Sequence, residues 1–305
     1  MTATRIVPAN VSLYALIGAL LAASISLQVV RDRGWQPYTP EQGLLWVRSG
    51  EVARRLALSF DNLAADVYWM RTVVYFGAQR LKNVQQDGYD QLFPLLELVT
   101  SLDPHFNVAY RFGAIFLAEP SPGGAGRPDL AIQLLNKGLA LNPKRWEYAQ
   151  DIGFVHYFWT GDYSLAAEWF KRAGAIEGAP DWLAPMAATT LAEGGNRESA
   201  RKLWTELRDN TEVEWIRNNA NHRLLQLDAM DSIDELNRST ARYIQRMGRA
   251  PLHWGEVAAL EGWRSLPADP TGVEFALDQE TGRVSLSEGS SLWPLPIAPR
   301  AGPVP

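Results

Sequence analysis

The chain has 305 residues, 47% hydrophobic and 21% charged, with a formal net charge of -5. This ordinary globular balance supports one extended or two compact domains and lacks the basic excess of a nucleic-acid binder. It contains no cysteine, which excludes disulfides, thiolate metal sites, covalent haem attachment and cysteine nucleophiles. Its 12 tryptophans, roughly three times ordinary usage, favour helix packing and interfaces.

After "MTATRIVPAN" comes "VSLYALIGALLAASISLQVV", residues 11–30, without a charged side chain. Twenty helical residues at about 1.5 Å each span roughly 30 Å, the thickness of a bilayer's hydrocarbon core. A single transmembrane helix, retained rather than cleaved, is expected. The competing reading is a signal peptide with Arg5 in its basic region and a poor cleavage site at Ala22-Ala23-Ser24. Arg5 on one side nearly balances Arg31 and Arg33 on the other. A signal-anchor orientation is expected, with the body on the periplasmic side of a bacterial membrane. Ala15, Gly18, Ala19, Ala22 and Ser26 form small-xxx-small steps that allow close helix contact in lipid, although Ala and Gly are also simply common in such helices.

The next stretch, "RDRGWQPYTPEQG", has Gly34, Pro37 and Pro40 to forbid a continuous helix, so residues 31–60 read as a linker and lead-in helix. Helical periodicity then runs almost to residue 265. "DNLAADVYWMRTVVYFGAQRL" places Ala64, Val67, Tyr68, Val74, Tyr75 and Ala78 at helical spacing, with Asp61 as its cap, and predicts a helix buried on that face. Helices of similar length follow at short intervals, with no strand between them.

"TGDYSLAAEWFKRAGA" and "GGNRESARKLWTELRD" share a skeleton: Gly161 and Gly195, Asp162 and Asn196, Ala166 and Ala200, Phe170 and Trp204, and Ala173 and Leu207 are each 34 apart. "LAIQLLNKGLALNP" supplies Ala131, Leu135, Gly138 and Pro143 at the same offsets, and "LFPLLELVTSLDP" supplies Leu92, Leu96, Val99 and Pro104. A fixed period in this range marks stacked repeats. In period and residue types the pattern resembles the tetratricopeptide repeat, a 34-residue unit of two antiparallel helices. The resemblance covers about half the chain and implies an all-α, right-handed stack of antiparallel helix pairs over residues 61–210. It departs from the family at Pro94, inside the second helix of the first unit. Beyond Trp215 only Ala241 stays in phase, so residues 211–265 read as degenerate or capping helices, as terminal units are. Turn signals in "LPADPTGVEFALDQETGRVSL" predict a small β-hairpin within residues 266–290. The Pro-rich residues 291–305 predict an extended tail without a core of its own, with Trp293, Pro294 and Pro296 available for docking.

No catalytic constellation is legible. His105, His156, His222 and His253 are scattered without metal-ligand spacing, and "GGAGRPD" lacks the Lys-Ser/Thr of a phosphate loop. No cofactor is expected. The functional surface implied by the resemblance is the concave groove of the first helices. With Ala114, Gly153 and Ala188 as the small crossing residues, it falls on Val108, Arg111, Ile115, Glu147, Gln150, Phe154, Tyr157, Trp182, Pro185 and Thr189. Only Arg111 suits a carboxylate clamp, so the groove is either filled by the chain's own helices or receives an apolar segment of a partner. The expected function is a non-catalytic, membrane-anchored scaffold, a structural or accessory subunit of a larger membrane complex of photosynthetic, respiratory or envelope type. The alternative is a transient peptide-binding adaptor or assembly chaperone. Partners would be other membrane proteins, with the bilayer held through residues 11–30 and no nucleic acid.

Overall fold

The computed structural model describes residues 9–33, 47, 49–82 and 86–296, and among them the chain is mostly helical, with twelve α-helices and a two-stranded antiparallel sheet. Gly34, Pro37 and Pro40 of the expected linker lie outside the described residues, as does the part of the Pro-rich tail beyond residue 296. The chain divides into two units, residues 1–46 and 47–305.

The first unit holds α1 (Ala9–Arg33), one uninterrupted helix of 25 residues. Gly18, Ala19, Ala22 and Ser26 lie on it exposed, while the side chain of Ala15 is outside the described ones. Among the described residues no helix is long and apolar enough to cross a membrane. Membrane anchoring therefore rests on the sequence alone.

The second unit begins with α2 (Gly50–Leu56), capped by the Ser49 hydroxyl, and continues through α3 (Asp61–Leu81), α4 (Leu92–Leu102), α5 (Asn107–Ala118), α6 (Pro128–Leu141), α7 (Trp146–Val155), α8 (Tyr163–Gly174), α9 (Leu183–Glu193) and α10 (Arg197–Asn210). Helices α3 to α10 pack consecutively, each on the next, as a stack of helix pairs does. The small residues explain how. Ala131, Ala166 and Ala200 are completely buried. A Cβ on Gly153 would lie 2.5 Å from the Phe170 ring, and one on Gly138 would lie 2.8 Å from the Tyr110 ring, so these helix crossings exist only because both residues lack side chains. Phe170 and Trp204 fill equivalent gaps, each 1% exposed. The turns repeat as well. Gly161 and Gly195 adopt left-handed backbone (φ 68° and 80°), which glycine reaches without steric cost. The next residue caps the helix each time: Asp162 Oδ1 accepts from the Leu165 amide at 2.9 Å and Asn196 Oδ1 from the Ser199 amide at 3.2 Å. Pro94 sits in the first turn of α4, where the amide it lacks would have no intrahelical partner.

Four expectations need correction. Asp61 is the first residue of α3, not its cap, which is Phe60. Val67 and Val74 face outward, because α3 buries Ala65, Tyr68, Thr72, Tyr75, Phe76 and Gln79 instead. The region after residue 211 is helical, but it does not keep the phase of the repeat. With no glycine or proline among its 34 residues, α11 (Glu214–Met247) runs straight on until Gly248 turns left-handed at φ 70°, and Ala241 is exposed rather than in phase. Finally, the described part of the tail, residues 291–296, joins a core built by the rest of the chain. After α12 (Trp254–Glu261), the hairpin β1 (Ala276–Leu277) and β2 (Val284–Ser285) pairs Ala276 with Ser285. Leu292, completely buried, packs with Phe275, Val284 and Leu286 against Ala229, Leu236 and Tyr243 of α11. The Gln226 side-chain amide donates to the carbonyls of Leu292 and Pro294, both at 2.7 Å. Pro296 is buried, while Trp293 is half exposed and its indole donates to the Ser287 carbonyl at 3.0 Å.

Candidate partner-binding groove

Helices α5, α7 and α9 are the first helices of successive pairs, and their outward positions define the groove. On α5 the exposed face is Val108, Phe112 and Ile115, with Arg111 turned toward α7. There its guanidinium makes a two-pronged ion pair with Asp151, at 2.6 and 3.0 Å. Burial pushes the Asp151 carboxyl up despite the arginine beside it, while the hydrogen bonds from Arg111 to that carboxylate hold the guanidinium charged. The one basic residue among the positions expected of the groove is thus paired with an acid of the next pair of helices.

The face follows the i, i+4, i+7 positions in all three helices. The positions expected from the sequence follow i, i+3, i+7, and the structure moves the middle one: Gln150 and Pro185 are buried, and Phe112, Asp151 and Met186 stand in the face instead. Glu147, Phe154, Tyr157 and Thr189 are half buried, and Trp182 is exposed. Phe112, Phe158 and Met186 belong to this candidate surface and are not among the positions expected from the sequence. The 4-3 spacing of Val108, Phe112 and Ile115 was the available signal.

Helix α7 ends in a π-helical turn, His156–Thr160. Such turns insert an extra residue into the helical register, and here the turn leaves Phe158 at 64% exposure beside half-buried Phe154 and Tyr157. Phe158 stacks on Phe154 with centroids 5.7 Å apart and meets the edge of Tyr157 at 4.9 Å. Phe154 in turn rests edge-on against Phe170 of the core at 5.1 Å. The Tyr157 hydroxyl donates to Glu193 at 2.7 Å, tying the end of α7 to the end of α9. At the other end, Trp146 and Trp182 meet edge-to-face at 6.3 Å. Burial and the carboxylate beside it push the Tyr157 phenol well above its usual range, so it stays a donor. Burial pushes the His156 imidazole below its ordinary range, and the ring shares a hydrogen bond with the Thr160 hydroxyl at 3.2 Å.

Phe154, Tyr157, Phe158, Phe170, Met186 and Thr189 line a cleft of about 360 Å³ with Glu193 at its edge. Apolar walls with few polar groups suit an apolar side chain or a short segment. Among the described residues no group of three or more His, Asp or Glu is placed to hold a metal ion. The fold defines the chain as a helical-stack protein with a small C-terminal sheet. No protein-family model, curated protein or solved structure matches it.

Proposed function

We infer that the chain is a non-catalytic, membrane-anchored helical-repeat scaffold of the tetratricopeptide type, an accessory subunit whose groove holds an apolar segment of another membrane protein. The observation that carries this reading is the aromatic cleft. Phe158 stands exposed at its mouth while Phe154 and Phe170 anchor its floor in the core, an arrangement that leaves apolar surface open where a self-contained fold would cover it. The uncharged residues 11–30 support anchoring to the bilayer, and the reading places the body on the periplasmic side. The open cleft mouth equally favours a second reading, a transient adaptor that binds and releases apolar segments.

The test places a photo-crosslinking amino acid at position 158 of the full-length chain in its native cells, with a second at exposed Lys144 as control. A subunit gives one partner from position 158, recovered at constant ratio through mild-detergent purification. An adaptor gives several partners at low ratio, and no product from position 158 sinks both readings.

A further inference from the structure

The outer face of α3 carries a second apolar surface, independent of the groove. Leu63, Val67, Met70, Val74, Gly77 and Leu81 follow one another at spacings of 4, 3, 4, 3 and 4, the a/d alternation of a coiled-coil seam. The five with side chains are 41 to 88% exposed, and a Cβ on Gly77 would meet nothing within 4 Å. Terminal units of a helical stack normally turn a polar face outward. Here α3, whose inner face packs on α4, instead offers solvent an apolar stripe about 27 Å long.

The order of residues along the stripe identifies what covers it. The six positions are symmetric about Thr72. A second α3 laid antiparallel therefore sets Leu63 against Leu81, Val67 against Gly77, and Met70 against Val74, each layer joining one a position to one d position as antiparallel coiled coils do. A parallel copy would set Gly77 against Gly77 and leave a void. The flank agrees. Asp66 and Arg80 lie one position before Val67 and Leu81, and antiparallel pairing brings Asp66 of each copy toward Arg80 of the other, twice, with Val73 meeting Val73 between them. Arg80 also holds Glu119 within its own chain, at 3.1 Å, and its guanidinium can serve both. The opposite flank, Ala64, Arg71 and Ala78, is half buried, with Arg71 over the Tyr68 ring at 5.5 Å.

We propose that α3 is the interface of a homodimer, two copies of the chain packed through antiparallel α3 helices about a two-fold axis at Thr72.

The absence of native cysteine makes register directly testable in the full-length protein in mild detergent. One tagged copy carries Met70→Cys and a differently tagged copy Val74→Cys; a third preparation carries Leu63→Cys alone. Mild oxidation should join Met70→Cys to Val74→Cys at least about tenfold more than Leu63→Cys to itself, because only close Cβ pairs can form the bond. Val74→Glu, at an exposed position, should keep the parent's circular dichroism spectrum and convert a dimer mass to a monomer mass in light scattering. Three results would overturn the proposal: a monomer mass for the unmodified chain at tens of micromolar, Leu63→Cys self-linking as strong as the mixed pair, or Val74→Glu weakening binding to lipid vesicles while the mass stays dimeric. The last would make the bilayer the occupant.

Discussion

Replacing Trp204 with alanine tests whether the 34-residue correspondence has physical content. The side chain is 1% exposed and sits in a core with Ala166, Ala200 and Ala220, all completely buried. Burying a tryptophan removes about 150–250 Å² from water, about 4–6 kcal/mol at 25 cal/mol/Å², and measured truncations of large buried aromatics cost about 3–5 kcal/mol. The alanines around the site have no side-chain length with which to collapse into the void, so the expected loss lies in the upper part of that range. Urea unfolding of the full-length chain in mild detergent, followed by far-ultraviolet circular dichroism, reads the loss directly; in a thermal melt it corresponds to a fall of about 6–20 °C. Phe170→Ala, 34 residues earlier, should cost a comparable amount. Trp215→Ala, at a half-exposed position, should stay within about 0.5 kcal/mol of the parent. A loss below about 1 kcal/mol for Trp204→Ala would refute the equivalence of the two gaps.

Leu292→Ala should cost about 2–5 kcal/mol in the same unfolding measurement, since Leu292 is completely buried against α11; a neutral result would mean the C-terminal segment is not part of the fold. The Glu256 carboxyl is held down to about 2, from an ordinary 4.5, by hydrogen bonds from Arg249, Tyr243 and the Leu252 amide. A depressed carboxylate stabilises the fold above its ordinary value and loses that contribution as pH falls from about 4.5 toward 2. Glu256→Gln should therefore flatten the stability profile across that window, and an unchanged profile would remove Glu256 as its source. A reporter enzyme active only outside the cytoplasm, fused after Pro305, should be active in the expected orientation; activity of a cytoplasmic reporter there would reverse it.

What the sequence made legible was local chemistry. Gly161 and Gly195 before Asp162 and Asn196 can be read as turn and cap because each acts on its own backbone, and Ala131, Ala166 and Ala200 as crossing points because only small residues let helices approach. What it hid depends on the rest of the chain. Helix α3 is apolar on two faces, and periodicity cannot say which one α4 covers, so Val67 and Val74 read as core although they face solvent. The candidate groove's middle positions are Phe112, Asp151 and Met186 rather than Arg111, Gln150 and Pro185 because packing against neighbouring helices fixes helix rotation; only on α5 does the apolar spacing of Val108, Phe112 and Ile115 mark the face. Phe158 owes its place to a π turn that leaves no mark in composition. Prolines mark the tail as extended from their own geometry, whereas the burial of the single Leu292 depends on α11 and the hairpin that receive it.

The central claim is that the aromatic cleft holds a partner. Its most direct test is the recovery of co-purifying protein with full-length Phe158→Asp against the parent, both extracted in mild detergent from native cells. Phe158 is exposed, so the substitution should leave stability within about 0.5 kcal/mol. The partner should fall from a constant ratio to at most about a tenth of it, the effect of losing about 1.4 kcal/mol or more of binding. Equal recovery of the same partner with both chains would contradict the account.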